Sequence, residues 1–421
     1  MASIPERFSD AIETCLPNGP PPRIGVALSG GGDSTALLVL LAEWARPLGI
    51  SVQAITVDHG LREASAGEAE QAGRSCATLG VGHHIRSWDG SSRRGNLQAA
   101  ARRARRDLVR EWAGDLGLVA VALGHTMDDQ AETFLMRLKR GSGVDGLAAM
   151  AARRLDDGIV WLRPLLEFRR EELRDILRDR NIGWSEDPSN EDARFDRVRT
   201  RRALAELDGL GISVEKLAET ATRMASGRQA LEAATQRAAR KTALVSEAGD
   251  VELRLGAFSA LEPEFQMRLL AHAVKWVASA SYRARQSAIA PILTGLADLR
   301  RTTLGGCLVS VERKAGIVRI CREARALQDA VGRPGEVWDG RGIVTGPPDG
   351  ALYHIAVLGE AGLKAVPNWK STGLARASLL ASPSVWLGKT LVSAPLAGAP
   401  NGWDCRLRNG ADHFFTSILS H

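Results

Sequence analysis

Six consecutive residues, Ser29-Gly30-Gly31-Gly32-Asp33-Ser34, sit between a short apolar run (residues 24–28) and a longer one (residues 35–42). Three successive glycines leave the main chain bare and free to turn, so their amides can converge on an anion. Where a helix starts, such a cradle also gains the positive end of the helix dipole, and a phosphate is its natural occupant. A plain strand-to-helix turn needs one or two glycines; this one has three, with an acid and a hydroxyl beside them. It is not a Walker loop, G-x-x-x-x-G-K-[ST], because no lysine follows the glycines. A second stretch, PSVWLGKT at residues 383–390, has the lysine but a proline where the first glycine belongs, and is discounted. Residues 93–110 hold seven arginines and one acid, and residues 194–202 five arginines and one acid. Either cluster could be a solvated helix face. Two of them, without lysine, favour a phosphate-bearing partner, since the planar guanidinium pairs bidentately with phosphate oxygens.

The elements that must position the loop follow from the apolar pattern. Residues 24–28, 52–57, 81–88 and 118–123 predict strands, and residues 34–45, 63–79, 96–114 and 128–139 predict helices between and after them. Four strand–helix alternations imply an α/β fold with a doubly wound parallel sheet covered on both faces. Ligands in such sheets bind beyond the C-terminal strand ends, where SGGGDS, DHGLR and GHTMDDQAET fall. Three parts are expected: a catalytic domain over residues 1–205, a helical region over 206–325 ending in a hairpin around Lys314-Ala315-Gly316, and a small β-rich domain over 326–421.

Composition bounds the rest. The 421 residues are 44% hydrophobic and 25% charged, with a formal net charge of +6 and no apolar run long enough to span a bilayer. The first fifteen residues carry acids early and lack an apolar core, so no secretory leader is expected. Five scattered cysteines, never in a C-x-x-C pair, argue against a disulfide framework or a cysteine-built zinc site and fit a reducing cytoplasm.

With further segments, the glycine run resembles a known family. SGGGDS is similar to the PP-loop, S-G-G-x-D-S, of the ATP pyrophosphatase superfamily, whose members cleave ATP between its α and β phosphates. VDHGLR (57–62), NLQAAARRARRDL (96–108), GHTMDDQAETFLMRLKRGSGVDGLAAM (124–150), RPLL (163–166) and DPSN (187–190) occur in the order and spacing of the tRNA(Ile)-lysidine synthase family. The resemblance implies a PP-loop ATPase fold, like that of the adenine nucleotide alpha hydrolases. It also implies ATP as a substrate, Mg2+ as a cofactor, and tRNA(Ile) and free L-lysine as partners. In that family a wobble cytidine is adenylated at its C2 oxygen, and lysine displaces AMP through its side-chain amine. A homodimer is left open, and no membrane partner is expected.

The same resemblance assigns residues. Ser29, Gly30, Gly31, Gly32, Asp33 and Ser34 would hold ATP, with Asp58 and His59 beside the adenine and Asp33 on Mg2+. His125, which begins the long motif, would touch substrate or phosphate. Arg102 and Arg105 match A-R-x-A-R and would neutralise the α phosphate, while Arg106 stands where a tyrosine is usual. Asp129 and Glu132, three apart on a helix, face one side and could bind the lysine ammonium or Mg2+. The same acids at a helix start could also be merely solvated. One of them could accept a proton, because an amine of pKa ~10.4 attacks only when neutral. Arg197 and Arg199, assigned to tRNA, fall in a segment usually written R-N-R-I-R and here FDRVR, with Phe195 and Asp196 replacing its first two residues. A related thiolase is the nearest rival, but sulfur insertion calls for paired cysteines or an iron-sulfur cluster. A non-catalytic nucleotide-binding RNA module is the other alternative.

Overall fold

The computed structural model describes residues 2–58, 65–88, 97–156, 158–185, 196–298, 300–347 and 352–419. The chain divides into two compact units, Met1–Arg228 and Gln229–Ser420.

In the first unit, helix α1 (Ile4–Cys15) starts at a capping box, with Ser3 and Glu6 bonding each other's backbone N–H, and buries Phe8, Ile12 and Cys15. Then follow β1 (Arg23–Ala27), α2 (Gly32–Ala45), β2 (Ser51–Asp58), α3 (Ser65–Leu79), β3 (Gly82–Ser87), α4 (Leu97–Asp115), β4 (Ala120–Leu123) and α5 (Met127–Leu138). After a short helix α6 (Val144–Leu147) come strands β5 (Arg153–Asp156) and β6 (Ile159–Leu162), then α7 (Arg170–Asp179) and α8 (Asp196–Asp208). The sheet order is β3-β2-β1-β4-β6-β5. All neighbours pair in parallel except β5, which runs antiparallel at the edge.

Side-chain alternation sends Ile24 and Val26 of β1 to one face, where α1, α2 and α7 complete the largest core. Helix α2 is apolar all round because it is buried all round, from Ser34 to Ala42. On the other face Trp112 of α4 lies against Gly25, where an added Cβ would come 3.0 Å from the indole. Connections leave β1 toward β2 on one side and return to β4 on the other, so the crevice between the ends of β1 and β4 is the topological switch point. The eight expected elements of this unit are all present. The β5–β6 edge was not foreseen: Arg153–Asp156 is a mostly exposed, polar strand without an apolar signal.

The boundary between the units falls inside helix α9 (Val214–Thr242). The second unit contains a five-stranded antiparallel sheet, β7 (Ala243–Val245), β8 (Val251–Arg254), β9 (Arg301–Leu304), β10 (Cys307–Glu312) and β11 (Ile317–Arg322), in the order β7-β8-β11-β10-β9. The expected hairpin is β10–β11, turning at Gly316 with φ +67°. Helices α10 (Leu255–Ser259), α11 (Pro263–Val277) and α12 (Gln286–Thr294) precede β9, and two three-stranded sheets follow β11. The discounted lysine motif is part of one of them: Pro383–Leu387 and Thr390–Ser393 are paired strands, and Lys389 lies in their turn. No phosphate loop forms there. Near the C-terminus, Phe414 and Ile418 join the core built on α11.

His272 of α11 is 2% exposed and donates from Nε2 to the Phe414 carbonyl at 2.8 Å. Burial lowers its pKa from 6.5 to about 3. Between those two pH values the unfolded chain takes up a proton that the folded one refuses, so this group makes stability fall as pH falls through that window. His272→Gln keeps an N–H for Phe414 and removes the titration. Thermal melts at pH 7 and pH 4 should show a smaller acid-induced loss in the variant than in the parent; equal losses would contradict this.

Candidate active site

The turn between β1 and α2 is built by its own hydroxyls. Gly30 adopts φ +82°, and Ser34 Oγ donates to the Gly31 carbonyl at 2.9 Å while accepting the Ser29 N–H at 3.1 Å. The Ser29 and Ser34 hydroxyls lie 3.0 Å apart. A helix's first amides have no partner inside it, and Gly31 at the N-cap brings no side chain to cover them. The helix begins at Gly32, two residues earlier than the apolar pattern predicts, so Gly31 and Gly32 belong to its mouth. Ser185 N–H bonds the Gly30 carbonyl at 2.9 Å, and the Trp184 indole sits 3.4 Å from where a Gly32 Cβ would be. Across the crevice, a Cβ at Gly124 would stand 3.0 Å from Ser34 Cα and 3.1 Å from the Asp33 carbonyl oxygen. Glycine at position 124 thus brings the end of β4 against the start of α2.

That approach gathers the acids. Thr126 caps α5, with its N–H and hydroxyl both reaching Asp129 Oδ2, at 3.0 and 3.2 Å. Asp129 is 7% and Glu132 1% exposed, so neither is merely a solvated acid at a helix start. Both meet one guanidinium, that of Arg170 at the first position of α7. Its Nε donates to Asp33 Oδ2 at 3.0 Å, one terminal nitrogen to Asp129 Oδ1 at 3.5 Å, and the other lies 3.8 Å from Glu132 Oε1. The Arg170 backbone N–H is held at 2.8 Å by Asp128 Oδ2, which also pairs through Oδ1 with Arg169; Arg169 in turn bonds Glu215. Glu132 Oε1 further accepts from Arg201 at 2.6 Å, and Arg197 lies 3.8 Å from Oε2.

These neighbours separate the acids electrostatically. Burial pushes the Asp33 carboxyl up, against the pull of Arg170. Burial also works against charge on Asp129, but Arg170 and the Thr126 amide hold it below the usual range. Glu132 is raised, first by burial and then by Asp129, with Arg201 opposing. Two carboxylates one turn apart therefore differ: Asp129 is the firmer anion and Glu132 the better proton acceptor.

The other sequence-assigned residues are placed unevenly. Asp58 ends β2, half-buried, with its carbonyl bonded by Trp88 N–H at 2.8 Å. His125 lies between β4 and α5, and in its protonated form helps to lower Asp129. Arg105 is exposed on α4. His59 and the side chain of Arg102 fall outside the described residues. Arg106, where a tyrosine was usual, pairs with Asp156 at 3.5 Å. Arg199 stays out of the cluster, exposed and 2.5 Å from Asp196. Within the long motif, Gln130 bonds both backbone groups of Met150, and Arg137 bonds the carbonyls of Gly146 and Ala149. Much of that motif is scaffolding.

Four members of the cluster were missed: Asp128, Arg169, Arg170 and Arg201. Arg201 follows Arg197 by one helical turn, so the pair shares a face, a spacing readable in the sequence. Arg170 left a fainter sign: two arginines open a helix, where the dipole disfavours cations.

A PP-loop domain family matches residues 5–207. Over 404 residues the chain is 48% identical to the tRNA(Ile)-lysidine synthase of Ruegeria pomeroyi, covering 96% of this chain and 95% of that one. That of Hyphomonas neptunium is 38% identical over 299 residues, covering 69% and 79%. Among solved structures, the U34-tRNA thiolase NcsA from Methanococcus maripaludis superposes with a TM-score of 0.46 at 17% identity, over 52% of this chain and 79% of that chain.

Gly124→Ala should force the start of α2 to shift, because the atoms it meets are backbone. We expect a loss of about 1–3 kcal/mol in stability and at least a roughly tenfold weaker affinity for ATP, by calorimetry. Gly114→Ala, in open space near the end of α4, serves as the control: it should leave ATP affinity unchanged and should not destabilise the protein. Parental ATP affinity in Gly124→Ala would contradict the close-approach reading.

Proposed function

The chain belongs to the tRNA(Ile)-lysidine synthase family, and from that membership we propose that it joins L-lysine to C2 of the wobble cytidine in tRNA(Ile) with a CAU anticodon, consuming ATP. The observation that carries this reading is the juxtaposition of a glycine-lined helix mouth with Asp33, Asp129 and Glu132 around one arginine.

The chemistry suits those groups. The C2 carbonyl of cytosine lacks a leaving group, so its oxygen first attacks the α phosphorus of ATP; the bond to the β phosphate breaks and pyrophosphate departs. Amides of residues 30–34 and the α2 dipole stabilise the charge gathering on that leaving group. The lysine ammonium docks against Asp129, the firmer anion, and its proton passes to Glu132, the better acceptor. The neutral amine then bonds to C2, the C2–O bond breaks, and AMP leaves. An anticodon loop presents unpaired bases, so bringing the cytidine to the crevice costs little compared with opening a duplex.

Among the described residues no group of three or more His, Cys, Asp or Glu side chains is arranged to hold a metal. Mg2+ needs no such cage: one or two carboxylates and phosphate oxygens suffice. Asp33, in the first turn of α2 and facing Asp129 across Arg170, fits that demand. When bound, Mg2+ would neutralise the phosphate oxygens there.

A thiolase reading is not favoured. Cys15, Cys76, Cys307 and Cys321 are buried and Cys405 partly so, all of them free. Burial pushes every thiol up, Cys76 and Cys307 to about 11 and Cys321 and Cys405 to about 12. None is a ready thiolate. We assign catalysis to residues 1–205, with Arg199 there also meeting tRNA, and further tRNA binding to the remainder, in two parts that meet near residue 325. No described helix is long and apolar enough to cross a membrane; the tRNA substrate leads us to place the protein in the cytoplasm.

Sustained pyrophosphate release should require both tRNA(Ile) and lysine, because without lysine the adenylated cytidine stalls after one turnover. Asp33→Ala should lower it at least about a hundredfold without unfolding the protein, and a variant retaining activity would remove Asp33 from the chemistry. Arg199→Ala should weaken tRNA binding, with a salt dependence shallower by about one phosphate contact, and leave ATP affinity unchanged. Unaltered tRNA affinity would reject its assignment.

A further inference from the structure

Among the described residues, ion pairs at the crevice join Asp33, Asp128, Asp129 and Glu132 to Arg169, Arg170, Arg197 and Arg201, and Arg169 also reaches Glu215. The acids there are already matched by guanidinium groups. An ammonium entering such a balanced site must displace a cation, and a polyanion entering beside Asp33 must gain one. A single guanidinium that moved from the acids to the phosphates would satisfy both demands.

Resting on the ligase reading above, we propose that Arg170 is that guanidinium: it neutralises the acids before ATP binds and turns to the triphosphate as ATP binds, uncovering Asp129 and Glu132 for lysine. Its connections single it out. Arg201 reaches Glu132 at 2.6 Å and Arg169 ties Asp128 to Glu215, whereas Arg170 touches both Asp33, in the first turn of the phosphate helix, and the α5 acids. Its main chain is fixed by Asp128 at 2.8 Å, so the side chain can turn without the helix moving. Its hold on the lysine-side acids is the looser one, 3.5 and 3.8 Å against 3.0 Å to Asp33. Phosphates in the cradle would lie next to Asp33 and compete directly for the guanidinium. The consequence is a positive, reciprocal coupling between ATP and lysine that passes through one residue.

The test measures binding without turnover. Equilibrium dialysis of radiolabelled L-lysine is run at fixed Mg2+, with and without α,β-methylene-ATP, on the full chain. In the parent the analogue should tighten lysine binding about tenfold or more. In Arg170→Met, lysine alone should bind more tightly than to the parent, and the analogue should add less than about twofold. Arg170→Lys, with a point charge in place of the fork, should keep part of the coupling; it decides the matter if thermal melts show Arg170→Met unfolded. Full parental coupling in either folded variant overturns the proposal, as does a parent that binds both ligands without coupling. A parent that binds neither lysine nor the analogue overturns the ligase reading itself.

Discussion

Carboxylates that must later hold cations cannot be gathered in a buried crevice unless cations already stand between them, because stripping water from an uncompensated charge costs several kcal/mol. Here Asp33, Asp129 and Glu132 come from two helices, and Arg170 from a third lies among them. Asp128 completes the arrangement by bonding the first amide of α7, which fixes the base of the arginine. The lattice of opposite charges is what lets a mostly buried site remain ionised and chemically poised.

The sheet topology explains why these groups meet. The loops after β1 and β4 flank the switch point, one opening α2 and the other α5, so a glycine-lined helix mouth and an acid pair face one another by construction. Gly124 sets their separation, and α7 packs beside α2 in the same core, carrying Arg170 to the crevice. Stability and function share these contacts: the apolar packing of Leu173, Ile176 and Leu177 positions the guanidinium as surely as its ion pairs do.

Much of this was legible in the sequence. The PP-loop and the strand–helix alternation follow from local glycine chemistry and apolar periodicity, and Asp129 with Glu132 from helical spacing. Three kinds of feature were not legible for physical reasons. Arg170 acts across 137 positions on Asp33, a distance no local pattern spans. Polar edge strand Arg153–Asp156 has no apolar face to announce it. The residues of the long motif divide between chemistry and scaffolding only once partners are seen, as with Gln130 on Met150 and Arg137 on Gly146. Arg197 and Arg199 were paired by sequence, yet their odd spacing sends one toward Glu132 and the other to Asp196.

The decisive measurement is a crystal structure of the protein grown with Mg2+ and α,β-methylene-ATP. The β and γ phosphates should lie against the amides of residues 30–34, the α phosphate beside Asp33, and the Arg170 guanidinium turned toward the phosphates. A nucleotide seated elsewhere, leaving those amides without phosphate, would contradict the assignment of this crevice as the site of ATP cleavage.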